Sequence, residues 1–380
     1  MTDAPPPEPD RIAGAPHPRE TQTLFGQTTA ESAFLAAHAS GRLHHAWLIT
    51  GPRGVGKATL AWRIARFLLA EEIAADAGLF GAAEPANSLD IDADTPIARR
   101  ITALSEPRLM LLRRPWDEKT SRLRQEITVD EVRRLRGFFG LSAAGGGRRV
   151  VLVDSADDLN PNAANALLKV LEEPPPGAVL LLISHQPAGL LPTIRSRCRM
   201  LRCARLEPAD MAAALSCAGL GTDGVDATAL SALADGSVGS AIGLMAEDGL
   251  DIYHKLIALF DTLPRLDRSR ALALSESAAG RGAEMRFDMI LGLCELALAR
   301  LARHPFGPQT HPIGTESATF ARLCPDANAS RLWANLHQTL GAIARQGRAV
   351  NLDPASLLLD MFLKINDTAA SIAARQGQHP

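Results

Sequence analysis

Apolar residues fall along this chain in two rhythms, and the change from one to the other near residue 207 divides it. In the front half, short unbroken apolar runs stand at Ala46-Trp-Leu-Ile49, Leu109-Met-Leu-Leu112, Val150-Val-Leu-Val153 and Val179 to Ser184. Runs this short and this continuous suit strands of a parallel sheet covered on both faces. Between them lie segments of helical spacing: Ala30 to Ala39, Leu60 to Ala70, Thr128 to Phe139 with Asp130 and Glu131 in its first turn, and one that opens at Asn160. In the last, Asn160 is positioned as a cap and Pro161 suits the first helical position. Ala164, Leu167, Leu168 and Leu171 then form a single stripe, and Pro174-Pro-Pro176 stops the helix. Strands that alternate with helices in this way predict an α/β domain with a parallel sheet and helices on both faces.

From Glu207 onward the strand rhythm disappears, and Ala- and Leu-rich segments of helical spacing are broken near Gly219 to Gly224, at Leu263-Pro264, across Pro305 to Pro312 and at Pro325. The expected organisation is a disordered tail over 1–20, an α/β domain over 21–206 with an irregular insert at 71–99, a small helical domain over 207–264, a larger all-helical domain over 265–370, and a tail over 371–380. A length of 380 residues fits two or three domains.

Composition removes several function classes. The formal net charge of −2 gives no global positive field for holding nucleic acid. The five cysteines, at 198, 203, 217, 294 and 324, contain no CxxC pair and suggest neither a disulfide framework nor a zinc site. Cys203, Cys217, Cys294 and Cys324 read as small buried hydrophobes in a reducing compartment. The first twenty residues are proline-rich and carry Asp3, Glu8 and Asp10 without an apolar segment, so they do not read as a signal peptide. The longest apolar run, Ala178 to Ile183, is far short of the ~20 residues that cross a bilayer. A cytoplasmic protein with no membrane contact is the expectation.

The chemistry of the front half is that of a phosphate-handling site with parts missing. Gly51-Pro-Arg-Gly54-Val-Gly56-Lys57 matches G-x-x-x-x-G-K between a strand and a helix, the context in which glycines and backbone amides wrap a phosphate and the lysine supplies mobile charge. The next residue, which normally ligands Mg²⁺ through a hydroxyl, is Ala58. Thr59 lies one helical step further, turned by roughly 100°. Asp154 ends an apolar strand where such sites keep the carboxylate behind the metal, and the residue after it, which in hydrolysing sites orients water, is Ser155. Asp157 and Asp158 read as loop or helix-start acids. The loop and Lys57 retain the means to hold ATP or ADP weakly. No cofactor is required by this reading.

Ser196-Arg197-Cys198 sits within Arg195-Ser-Arg-Cys-Arg199. Alone it is a solvated basic cluster; beside a phosphate loop it suggests an arginine finger for a neighbouring subunit's γ-phosphate. Arg133, Arg134, Arg136, Arg148 and Arg149 form a second basic group, better read as a solvated face than as a DNA contact. His44-His45 has no partner cluster for a metal and marks the start of a strand. Gly236-Ser-Val-Gly239 reads as a turn between helices.

Four stretches together resemble the delta prime subunits of the bacterial DNA polymerase III clamp loader, a family of AAA+ proteins related to the gamma/tau motor subunits. They are His44 to Lys57, Ile127-Thr-Val-Asp-Glu-Val-Arg-Arg-Leu135, Asn165-Ala-Leu-Leu-Lys-Val-Leu-Glu-Glu-Pro174 and Ser196-Arg-Cys198. The resemblance is good from about 24 to 242; beyond that it rests on helical pattern and on Asn351 to Ile365. It implies a RecA-like AAA+ domain, a helical lid and a helical collar in a five-subunit ring with gamma/tau and delta subunits. Such a ring loads the sliding clamp onto primed DNA. It also implies that Arg197 completes a neighbour's ATP site, while Ala58, Ser155 and Gly239, the last standing where motor subunits carry a lid arginine, leave this chain without hydrolysis of its own. His185 stands where motor subunits have a small polar sensor. The family's four-cysteine zinc module would fall in 71–99, which has no cysteine, so zinc is not expected. The competing readings are an active motor ATPase of the same superfamily and a DNA-binding module.

Overall fold

The computed structural model describes residues 7–77, 86–140, 147–221, 225–280, 283–307, 311–349 and 352–376. Backbone contacts divide the chain into two compact units, one of residues 1–223 with 235–240 and the other of 224–234 with 241–380.

The first unit follows the predicted alternation. α1 (Thr28–Ala39) precedes β1 (Ala46–Thr50), and α2 (Lys57–Ala77) follows the glycine loop. α3 (Pro96–Thr102), β2 (Leu109–Arg113) and a short hairpin of β3 (Trp116–Asp117) and β4 (Arg122–Leu123) come next, then α4 (Val129–Gly140) and β5 (Arg149–Asp154). α5 (Pro161–Glu172), β6 (Ala178–Ser184), α6 (Pro192–Ser196), β7 (Arg199–Arg202) and α7 (Pro208–Cys217) complete it. The five longer strands form one parallel sheet in the order β2-β5-β6-β1-β7.

Because successive strand residues face opposite sides, each apolar run fills two layers. Leu48, Leu112, Val151, Val153, Leu180 and Leu182 bury one face together with Val132 and Leu135 of α4, Leu167 and Leu171 of α5 and Ile194 of α6. The alternate residues Trp47, Ile49, Val150, Leu152, Leu181 and Ile183 are equally buried, on the side where α2 packs against β1, β5 and β6. At about 1.5 to 3 kcal/mol for each large apolar side chain buried, these layers hold the sheet rigid. α5 begins as its sequence demands: the Asn160 side chain accepts a hydrogen bond from Ala163 N at 2.9 Å, with Pro161 following.

Three expectations need correction. Residues 7–20 of the expected tail are ordered against the first unit. Arg113 at the end of β2 reaches Asp10 at 2.6 Å and Glu8 at 3.1 Å, and His17 is fully buried, 3.1 Å from the Asp10 carboxylate. Charge pairing across the fold, which leaves no local pattern, fixes a segment whose composition suggests solvation. Residues 1–6 of that expectation lie outside the described residues. The insert at 71–99 is also less irregular than expected, since α2 continues to Ala77 and α3 starts at Pro96, capped by Thr95; residues 78–85 lie outside the described residues. Cys217, read as buried, is exposed at the end of α7. Part of the glycine break at 145–147, Asn351 and residues 377–380 also fall outside the described residues, while residues 371–376 of the expected tail are the end of α15.

The second unit is helical throughout its described residues: α8 (Ala227–Ala234), the greater part of α9 (Val238–Ala246), α10 (Gly249–Asp261), α11 (Arg268–Glu276), α12 (Glu284–Arg303), α13 (Glu316–Leu323), α14 (Ala327–Ala349) and α15 (Pro354–Gln376). Ile252, Phe260, Ile290, Leu298, Trp333 and Phe362 are among its fully buried side chains. One charge lies among them. The buried Glu316 carboxylate accepts hydrogen bonds from Tyr253 OH at 2.7 Å, Arg300 Nε at 2.6 Å, Arg300 Nη2 at 2.8 Å and the Ile313 amide at 2.9 Å. No single helix among the described residues is long and apolar enough to cross a membrane.

Candidate nucleotide site and arginine motif

The sheet brings the phosphate-loop candidates, though not Arg197, to one edge. Thr50 is in register with Ser184 and with Arg202, and Arg113 with Asp154, so the C-terminal ends of β1, β2, β5 and β6 line up where ligands bind in open parallel sheets. The loop from Gly51 to Gly56 leaves β1, and Lys57 opens α2.

Two glycines of the loop are required by its packing. Gly51 has φ of 146°, and a Cβ there would run into the Cys203 carbonyl. Gly54 has φ of 78°, and a Cβ there would strike Ser237 Oγ and lie 3.0 Å from the Cα of Gly239. The 236–239 turn is therefore seated on the loop. Ser237 Oγ donates to Arg53 O at 2.8 Å and the Gly239 amide donates to Gly54 O at 3.1 Å. Gln27 adds a second tie, donating from Nε2 to Val55 O at 3.1 Å and Ala204 O at 2.8 Å and accepting from the Ala204 amide at 2.9 Å.

Lys57 is buried and its ammonium is turned onto its own loop, donating to Gly51 O at 2.7 Å and to Pro52 O. Burial lowers its pKa to about 8, against the attraction of Cys203, Asp154 and Asp157. Asp154 shifts the other way. Burial, then repulsion from Asp10 and Asp158, raises it to about 7 despite the attraction of Lys57 and Arg53. Ala58 and Thr59 follow Lys57 in the first turn of α2, and Ser155 is buried after Asp154. The group brought together is Lys57, Asp154, Asp157, Asp158 and Arg53, with His185 close by; burial, followed by the repulsion of Lys57, lowers the His185 pKa to about 4.

Asp157, read in the sequence as a loop acid, is a fastening point. Its carboxylate accepts from Ser184 Oγ at 2.8 Å, the His185 amide at 2.6 Å and the Gln186 amide at 3.2 Å, fixing the end of β6. An acid three residues beyond a strand end gives no signal of this. Neither does Gln27, whose partners lie 28 and 177 residues away.

Arg197 follows α6 and is half-buried. Its Nη2 lies 2.8 Å from Glu172 Oε1 at the end of α5, and its Nη1 donates to Thr193 O at 3.1 Å. Ser196 Oγ donates to the same carbonyl at 3.1 Å. Cys198 is a partly buried thiol, pushed up to about 12 by burial, which keeps it protonated and unreactive. The second basic group is spent largely inside the chain: Arg133 pairs with Asp130, Arg134 with Glu131, and Arg149 donates to Phe138 O and Phe139 O. His44 and His45 stack at 4.5 Å just before β1.

A five-stranded parallel sheet in this order, with a G-x-x-x-x-G-K loop leaving the strand next to the edge and an aspartate at the end of β5, is the AAA+ form of the P-loop fold. Residues 26–207 match the model of the family described as DNA polymerase III, delta subunit. DNA polymerase III subunit delta' of Pseudomonas aeruginosa is 44% identical over 159 residues, 42% of this chain and 43% of the relative. The subunit delta' of Yersinia pestis is 35% identical over 161 residues, 42% of each chain. DNA polymerase III subunit tau of Escherichia coli is 25% identical over 344 residues, 84% of this chain and 50% of tau. The matched region thus spans less than half the length of these delta prime relatives.

Proposed function

We propose that this chain is a non-hydrolysing clamp-loader subunit of DNA polymerase III that supplies Arg197 to the ATP site of an adjacent subunit. In this reading residues 21–206 are the AAA+ domain, 207–264 its lid and 265–370 the collar that joins the ring. Gamma/tau and delta subunits are the direct partners, and the sliding clamp and primed DNA are reached through the complex in the cytoplasm. No cofactor is required.

The observation that carries the reading is the state of Arg197. Its guanidinium is partly solvent-accessible and held by Glu172 and Thr193, so it is engaged with the α5–α6 surface and not with its own phosphate loop. A cation pre-oriented by one carboxylate can exchange that partner for a phosphate presented by a neighbour. The chain's own site supports the other half. It has Ala58 where a metal-ligating hydroxyl belongs and Ser155 where a general base belongs, and general-base help alone is worth about 10² to 10⁴ in rate.

The test is ATP turnover by the reconstituted complex. Arg197→Ala should leave this chain folded and reduce hydrolysis at the neighbouring site by roughly 10³-fold or more, whereas Lys57→Ala should change total turnover little. The reverse pattern overturns the assignment.

A further inference from the structure

The segment before α1 is built across the candidate nucleotide site. Leu24 Cδ1 lies 2.7 Å from where a Cβ of Gly56 would stand, so its methyl rests on the loop itself. Ile12 Cδ1 lies 2.9 Å from the Cβ position of Gly239, the residue whose amide bonds Gly54 O, while the rest of Ile12 remains exposed. Asp10 is held at 2.6 Å by Arg113, the β2 residue in register with Asp154. It is close enough to repel the Asp154 carboxylate.

The anchors are several and independent. Glu8 bonds Arg19 and lies 3.1 Å from Arg113. Arg19 donates to Thr102 O at 3.0 Å, while Arg66 of α2 donates to Arg19 O at 3.1 Å and Thr21 O at 2.8 Å. Arg63 bonds Gln22 O. The buried His17 sets its ring edge-on to Trp62 with centroids 6.3 Å apart. Against burial, which would raise them, Arg19, Arg11 and Arg113 hold Glu8 down at about 2, and His17 and Arg113 hold Asp10 below its ordinary value. Both are therefore ionised at neutral pH, and Asp10 faces Asp154 at the end of β5.

We propose that residues 8–24 form a built-in cover that keeps this chain's own phosphate loop shut against nucleoside triphosphates. The cover obstructs the loop sterically through Leu24 and Ile12 and sets the Asp10 carboxylate against Asp154, and Lys57 meanwhile satisfies its charge on Gly51 O and Pro52 O. The lost hydroxyl at 58 is then one of two reasons for silence. The inference takes the loop as a relic nucleotide site and does not depend on Arg197 acting on a neighbour.

Binding of a fluorescent ATP analogue by the isolated full-length chain tests it, with and without Mg²⁺. Two variants release the cover, each also carrying Leu24→Ala: removal of residues 1–18, and replacement of 7–14 by a Gly/Ser stretch of the same length, which keeps His17 and Arg19. Each should bind at least about tenfold more tightly than the full chain, and Lys57→Ala in the released background should abolish the gain. Equal affinity of full-length and released chains overturns the proposal. If neither variant folds by thermal unfolding, amide exchange on the unaltered chain decides. At saturating ATP, protection of Gly51 to Lys57 coupled to faster exchange at 8–24 supports the cover; protection without that change, or no change in either segment, overturns it.

Discussion

Asp154 offers a direct reading of what the site costs the fold. Its folded pKa of about 7 stands above the ordinary 3.8, so folding disfavours the ionised form. The penalty is absent below the unfolded value, grows as pH rises through the interval, and is complete above about 7. A shift of some three units corresponds to about 4 kcal/mol at 1.36 kcal/mol per unit, and partial exposure of the side chain reduces this to about 2 kcal/mol. Asp154→Asn keeps the shape and cannot ionise. At pH 8 the variant should therefore be the more stable protein, with the calorimetric transition of the first unit raised by roughly 4 to 8 °C. The advantage should shrink to about a quarter of its full size by pH 4.5. A variant less stable than the parent at pH 8, or an advantage that does not change with pH, would refute the account of Asp154 as a buried carboxylate further crowded by Asp10 and Asp158.

Other outcomes are equally definite. Glu316→Ala removes the acceptor of four hydrogen bonds and leaves Arg300 without its buried partner, so it should cost about 3 to 5 kcal/mol in the second unit; Tyr253→Phe should cost about 1.5 to 3 kcal/mol, both read by chemical denaturation. Asn160→Ala should cost about 1 kcal/mol through loss of the α5 cap, with Asn160→Asp close to neutral in the same assay. Gly54→Ala should lower the melting temperature of the first unit. Ser237→Gly in that background should relieve only the clash with Oγ, leaving the close approach to Gly239, the lost bonds of Ser237 with Arg53 O and the Ser240 amide, and the cost of a side chain at φ of 78°, roughly 1 kcal/mol or more.

The front half was legible where its signals are local. β1, β5 and β6 are continuous apolar runs because both faces are covered, and Asn160-Pro161 states the start of α5 within two residues. The glycine loop was legible for the same reason, as its chemistry needs close spacing along one turn. What escaped was settled at long range. Glu8 and Asp10 look like solvated acids until Arg113 is brought to them, and Gln27 is an ordinary polar residue until it spans Val55 and Ala204. Gly236 to Gly239 reads as a turn in the sequence, but its seat on the loop appears only when Ser237 meets Arg53 O. Cys217 shows the limit of composition: most cysteines here are buried, yet this one ends a helix facing solvent.

The strand order has a consequence during synthesis. β1 is the first strand to leave the ribosome, but both of its neighbours, β6 and β7, are the last: Leu48 pairs with Leu182 and Met200. At translation speeds of 5 to 20 residues per second, roughly 6 to 26 s pass before even the nearer partner exists. For that interval the nascent chain presents Ala46-Trp-Leu-Ile-Thr50 as an unpaired apolar edge, a natural substrate for chaperones that shield such segments until the sheet can close around it.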